Sequence, residues 1–124
     1  MSKVFIVEDD NYLCKMYKRA FTLDGHVVEC IVDGQEALNR LKDYNNKPDV
    51  VLLDIMIPKV NGIDILRSMK DDPGLKDIPV AILTNSLKKE NEELMTSLGA
   101  DLYLIKMDYD AKEIVEKINK LLKK

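Results

Sequence analysis

Four short apolar runs are each followed at once by a polar residue able to do chemistry. Val4-Phe5-Ile6-Val7 leads into Glu8-Asp9-Asp10, Val50-Val51-Leu52-Leu53 into Asp54, Val80-Ala81-Ile82-Leu83 into Thr84, and Leu102-Tyr103-Leu104-Ile105 into Lys106. If the runs lie side by side, carboxylates, a hydroxyl and an ammonium meet at one edge. Carboxylates gathered this closely repel, and one keeps its proton unless a cation joins them. Oxygen ligands without His or Cys favour a hard ion, Mg2+ or Mn2+ over Zn2+. A metal beside a carboxylate, a hydroxyl and a lysine is suited to handling a phosphoryl group. Neither GxxxxGK[ST] nor GxGxxG occurs, so nucleotide binding through those cradles is not expected. A carboxylate of the protein itself is the more natural carrier of the group.

The elements that must position these residues follow from the apolar pattern. The runs at 4–7, 27–32, 50–53, 80–83 and 102–105 are aliphatic or β-branched and mostly do not alternate. That is the pattern of strands in a parallel sheet covered on both faces. Helical stripes separate them: Leu13, Met16, Tyr17, Ala20 and Phe21 before Gly25; Ala37, Leu38, Leu41 and Tyr44 before Pro48; Ile63, Leu66 and Met69 before Pro73-Gly74; Leu94, Met95 and Leu98 before Gly99; and Ala111, Ile114, Val115, Ile118, Leu121 and Leu122. The fourth stripe is the weakest, because residues 88–93 are almost entirely polar, and that helix is expected to be the least firmly held. Strand and helix thus alternate five times. With right-handed crossovers this gives an α/β, doubly wound, three-layer sandwich. Ligands in such sheets bind outside the carboxyl ends of the strands, where the polar residues above fall. Asp49 and Asp101 precede their strands and belong to the opposite edge.

Composition narrows the setting. The 124 residues are 46% hydrophobic and 33% charged, with 19 Lys+Arg against 22 Asp+Glu and a formal net charge of −3. This length suits one domain of roughly 100–150 residues, which the five βα units fill, so 1–124 is expected to be a single domain with no output domain. The charge balance gives no reason to expect direct nucleic-acid binding. No run approaches the roughly 20 apolar residues of a membrane span, and the first residues are not a signal peptide, so a cytoplasmic chain is expected. Cys14 and Cys30 are too few for a disulfide scaffold and lie in no metal-binding spacing. They are expected to be small hydrophobes without redox chemistry.

The sequence resembles the receiver domain of two-component response regulators over essentially its whole length, in the single-domain arrangement of chemotaxis regulators. The resemblance rests on residues 4–10, on Leu52-Leu53-Asp54-Ile55-Met56-Ile57-Pro58 with Gly62, on Ile78-Pro79-Val80 through Thr84, and on Gly99-Ala100-Asp101 through Lys106. It implies a flavodoxin-like five-stranded parallel sheet in the order 2-1-3-4-5. It implies that Asp54 accepts a phosphoryl group from a sensor histidine kinase or phosphotransfer protein. Glu8, Asp9, Asp54 and the backbone carbonyl of Met56 would hold Mg2+, with Mn2+ able to substitute. Thr84 and Lys106 would contact the phosphoryl oxygens. Thr84 and Tyr103 would be the switch pair, and the surface of the fourth helix, fifth strand and fifth helix would meet an output protein.

Two departures from the family pattern stand out. Met107 follows Lys106 where the family usually has a proline joined by a cis bond; before a non-proline residue that bond costs roughly 2.5–4 kcal/mol, so trans is expected. Asn85 replaces the usual small residue after the threonine, and its bulk is expected to narrow access to Asp54.

Each residue also has an ordinary reading. Glu8, Asp9, Asp10 and Thr84 suit helix caps or first turns, Asp54 a turn, and Lys106 a solvated loop. His26 has no second imidazole partner in the sequence and is not read as a phosphorylated histidine. The lysines at 112, 117, 120, 123 and 124 suit a solvated helix face. Three other functions share the fold: a phosphorylation-independent interaction module, a receiver cut from a larger transcriptional regulator or hybrid kinase, and a flavin- or nucleotide-binding enzyme. The intact set of site residues speaks against the first of these, and the missing phosphate cradle against the last.

Overall fold

The computed structural model describes residues 2–123. Its strands are β1 (Lys3–Val7), β2 (Val27–Ile31), β3 (Val50–Leu53), β4 (Val80–Thr84) and β5 (Leu102–Ile105). All neighbouring strands pair in parallel, in the order β2-β1-β3-β4-β5. The unbroken apolar runs have the predicted consequence. Every residue of β3 and β4 is buried, because helices cover both faces of the sheet.

The helices are α1 (Asn11–Leu23), α2 (Gly34–Leu41), α3 (Gly62–Lys70), α4 (Lys89–Ser97) and α5 (Ala111–Leu122). Alternate strand residues divide the interior into two cores. Phe5, Val7, Val51, Leu53 and Ile82 pack with Leu41, Leu66 and Met95 on one face. Val4, Ile6, Leu52 and Leu83 pack with Tyr17, Phe21, Ile114 and Ile118 on the other. Asp10, Asp33 and Asn61 cap α1, α2 and α3 by accepting from backbone N–H groups, and Asp110 forms a capping box with Glu113 at α5. Only α4 begins without a side-chain cap, and it buries Met95 alone. That agrees with its weak stripe in the sequence. Gly25 and Gly99 end α1 and α4 with φ of 92° and 102°, a left-handed conformation that glycine adopts freely.

The structure corrects two expectations. Tyr44, assigned to the second helical stripe, lies beyond α2 in the short 3-10 turn Tyr44–Asn46. It is half exposed, and its hydroxyl donates to Asp72. Cys14 and Cys30, expected to be separate small hydrophobes, are joined in a disulfide between α1 and β2. No periodicity signals that pairing, because it depends on α1 folding back over the edge strand.

Asp49 and Asp101 lie at the amino ends of their strands. The Asp49 carboxylate accepts from the Lys3 N–H, and the Asp101 carboxylate from the Val80 N–H. Both therefore fix strand starts, away from the edge where the other acidic residues gather.

Candidate functional site

Strand register brings the polar residues together. Val7 pairs with Leu53 across β1 and β3, so the next residues, Glu8 and Asp54, emerge side by side. The chain leaves β1 toward β2 on one side and returns to β3 on the other. The carboxyl ends of β1 and β3 therefore flank the crevice where connections diverge, the usual ligand position in this architecture. Thr84 pairs with Ile105 at the ends of β4 and β5, leaving Lys106 one step further on.

Lys106 closes the cluster. Its Nζ lies 2.8 Å from Asp54 Oδ2 and 2.5 Å from Glu8 Oε1, with only 9% of its side chain exposed. The reading of a solvated loop lysine is thereby overturned. Every peptide bond described is trans, the Lys106–Met107 bond included. Residues 106–108 form a 3-10 turn that turns the Met107 side chain out to solvent.

Glu8 Oε2 also accepts from the Asp10 N–H at 3.1 Å, and Asp54 Oδ1 accepts from the Met56 N–H at 3.2 Å. Asp10 itself points away and caps α1 through the Leu13 N–H. The ordinary helix-cap reading therefore applies to Asp10, while Glu8 is buried and Asp9 exposed at the site. Thr84 is buried, and its Oγ1 accepts from the Ser86 N–H at 3.3 Å. Tyr103 is half-buried, and its hydroxyl donates to the Ser86 carbonyl at 3.3 Å. Burial, the main influence, raises the Tyr103 phenol above its ordinary value.

Two carboxylates, on Glu8 and Asp54, share one ammonium here. Burial raises Glu8 above the ordinary carboxylate value, outweighing its hydrogen bond from Lys106. Burial alone would lower the Lys106 ammonium, but bonds to Asp54 and Glu8 outweigh it and raise the group. Three carboxylates, on Glu8, Asp9 and Asp54, are gathered here around a single ammonium. Glu8, Asp9 and Asp54 each offer a carboxylate oxygen, and these lie within 4.8 Å of one another. Such an oxygen-only donor set fits a divalent cation of the hard type.

A cavity of about 440 Å³ opens over Asp54, lined by Met56, Thr84, Asn85, Ser86, Leu87 and Lys106, among others. Next to it, Asp9, Met56, Ile57, Pro58, Asn61 and Asn91 border a second hollow. Leu87 and Asn91 had no signal in the sequence, since the loop after β4 places the first and the opening turn of α4 the second, rather than a strand end. Asn91 Nδ2 donates to Ser86 Oγ at 2.7 Å, which ties that loop to the first turn of α4.

A family model described as the response regulator receiver domain matches residues 4–119. The chain belongs to that family. It is similar to the response regulator SaeR of Staphylococcus aureus, at 34% identity over 122 residues covering 98% of this chain and 51% of that protein. The chain spans about half the length of the curated relatives it matches. Among solved structures, the Mn2+-bound form of response regulator Rcp1 aligns at 27% identity with a TM-score of 0.86, covering 99% of this chain and 96% of that one. The phosphorylated cyanobacterial phytochrome response regulator RcpA aligns at 30% identity with a TM-score of 0.86, covering 98% and 93%. Chemotaxis response regulator CheY4 of Vibrio cholerae, at 24% identity and a TM-score of 0.86, shares the fold. The chain is a receiver domain of two-component signalling, in the doubly wound fold that the sequence predicts. No helix among its described residues is long and apolar enough to cross a membrane.

Proposed function

We propose that Asp54 is the phosphoacceptor of this receiver and takes its phosphoryl group from a phosphohistidine on a sensor histidine kinase or phosphotransfer protein in the cytoplasm. The observation that carries this reading is the Asp54 carboxylate itself. It is held on one oxygen by Lys106 and on the other by the Met56 N–H, at the floor of an open cavity. An Asp54 oxygen attacks phosphorus in line as the phosphorus–nitrogen bond breaks, and the imidazole leaves with that electron pair. Lys106 offsets the charge that gathers on the transferring oxygens. The Thr84 hydroxyl, at the rim of the same cavity, donates to one of them.

Glu8, Asp9, Asp54 and the Met56 carbonyl are the ligands we assign to Mg2+, with Mn2+ able to substitute. When bound, the ion supplies charge neutralisation at the phosphoryl oxygens. The protein acts on itself in this scheme and is not a turnover enzyme. Its output is a shift in population. Once Asp54 carries new acceptor oxygens, Thr84 moves toward them, Tyr103 follows, and the α4-β5-α5 face presents a changed surface to an output protein. The sparse burial of α4 supports it as the element that moves.

Incubation with Mg2+ and acetyl phosphate, read by intact mass, tests this reading. The expected result is one phosphoryl adduct, lost on treatment with hydroxylamine. Absence of an adduct on folded wild-type protein would overturn it.

A further inference from the structure

The disulfide joins two elements that the sheet order leaves only partly tied. β2 is an edge strand, paired on one side with β1 alone. Cys30 stands on it opposite Ile6, half-buried, and faces the core that α1 covers. Cys14 lies on α1, only 3% exposed, four residues after the Asp10 cap. The two Cα atoms are 6.1 Å apart across 16 residues of sequence, within the usual span of roughly 4.4–6.8 Å. No backbone movement is therefore needed to make or break the bond. In the same arrangement the Cys30 sulfur lies 3.3 Å from the Cys14 carbonyl oxygen, an acceptor for the thiol in the reduced form.

We propose that Cys14 and Cys30 are a reversible dithiol–disulfide couple, a modification site for low-molecular-weight disulfides that staples α1 to the edge strand. The unequal exposure of the two residues, Cys14 buried and Cys30 half-buried, sets the order of events. The Cys30 thiolate attacks one sulfur of the small disulfide, forming a mixed disulfide and releasing one thiolate. The Cys14 thiolate then attacks the Cys30 sulfur, forming the internal bond and releasing the second. Two protein thiols are oxidised, one small disulfide is reduced to two thiols, and the two thiol protons end on those products. An external dithiol reverses the sequence. Because α1 follows directly from Glu8 and Asp9, the staple anchors the helix behind the acidic pair. The couple's existence does not depend on the phosphoacceptor reading.

The folded 124-residue chain is equilibrated with oxidised glutathione, quenched with iodoacetamide in urea, and weighed intact. The expected product has lost two hydrogens, carries no alkyl groups, and reverts with dithiothreitol. Cys14→Ser, checked for folding by circular dichroism, is expected to stop at one glutathione on Cys30, while Cys30→Ser stays reduced because Cys14 is shielded. The oxidised form should melt about 10 °C above the reduced form, as expected for a loop of this length in a domain of this size. Quantitative alkylation of both cysteines after oxidation, or a mixed disulfide on wild type that never resolves, would overturn the proposal. So would equal melting temperatures for the two forms.

Discussion

The ammonium of Lys106 sits 2.8 Å from Asp54 Oδ2, although 52 residues separate them in sequence. The same ammonium reaches Glu8 Oε1 at 2.5 Å, so one lysine holds two buried carboxylates whose own repulsion would otherwise part them. Removing one partner of a buried ion pair leaves the other charge uncompensated. Lys106→Met is therefore expected to destabilise the metal-free protein by about 3 kcal/mol, measured by urea unfolding in EDTA. The same variant should bind Mg2+ more tightly than wild type, because a competing cation has left the carboxylates. Unchanged stability in EDTA would show that the pair contributes nothing to the fold.

Glu8 gives the site a pH dependence with a definite sign. Burial raises its folded-state value above the ordinary carboxylate value of 4.5. Its contribution to stability is therefore present below that ordinary value and is lost as pH rises through the folded value. A cation favours the ionised form, so the stabilisation from Mg2+ should grow over the same range. The shift in Tm on adding Mg2+ is expected to be larger at about pH 8 than at about pH 5. Equal shifts at both would mean that Glu8 is not among the ligands.

Gly62 is placed by necessity against the backbone that leaves β3. A Cβ there would stand 2.4 Å from the Asp54 carbonyl oxygen and 2.8 Å from the Ile55 Cα. Both are backbone atoms, which cannot swing aside. Gly62→Ala is expected to cost about 1–3 kcal/mol through overpacking and to slow phosphorylation by displacing Asp54. Thermal unfolding checks the first effect and the rate of adduct formation with acetyl phosphate the second. Wild-type behaviour in both would contradict the close packing.

Lys59 has a φ of 72°, and the Val60 N–H donates to the Pro58 carbonyl at 2.9 Å, closing a tight turn beside the site. A left-handed conformation at a residue with a Cβ stores roughly 1–3 kcal/mol. Its ion pair with Asp33 is 3.8 Å long with the lysine mostly exposed, which offsets little of that strain. Lys59→Val should destabilise by about 1–2 kcal/mol, and Lys59→Gly should be neutral or gain up to about 1 kcal/mol. Denaturant melts of the two variants make the comparison, and a Val variant as stable as the Gly variant would refute it.

Tyr103 and Asn85 test separate parts of the signalling scheme. Tyr103 reaches the β4–α4 loop through one long bond to the Ser86 carbonyl, so it contributes little to the chemistry at Asp54. Tyr103→Ala is expected to take up the phosphoryl group at the wild-type rate, while the amide NMR shifts that phosphorylation causes in α4 shrink. Asn85 is exposed and lines the cavity over Asp54. Asn85→Ala should accept phosphoryl groups faster. Full α4 shifts in the first variant, or an unchanged rate in the second, would remove that residue from the scheme.

Much of this was legible in the sequence, for a physical reason. Strands buried on both faces must be apolar throughout, so their ends are marked sharply by the first polar residue. Glu8 and Asp54 are such residues, Lys106 follows the apolar but only partly buried edge strand β5, and Thr84 closes β4 itself. Asp10 carried a helix-cap reading by the same local logic, and it caps α1. What stayed hidden depends on contacts between distant elements. The Cys14–Cys30 bond needs α1 folded onto β2. The Tyr44–Asp72 bond joins two loops 28 residues apart. The division of roles within Glu8-Asp9-Asp10 was likewise hidden, since three adjacent acids look alike until the start of α1 turns Asp10 into its cap.

The central claim concerns one side chain and is tested most directly by marking it chemically. Borohydride reduces an aspartyl phosphate to homoserine and leaves a free aspartate untouched. After incubation with acetyl phosphate and Mg2+, reduction and peptide sequencing by mass spectrometry should find homoserine at position 54, and none there in Asp54→Asn. Homoserine at another aspartate of the wild-type protein, with Asp54 intact, would contradict the account.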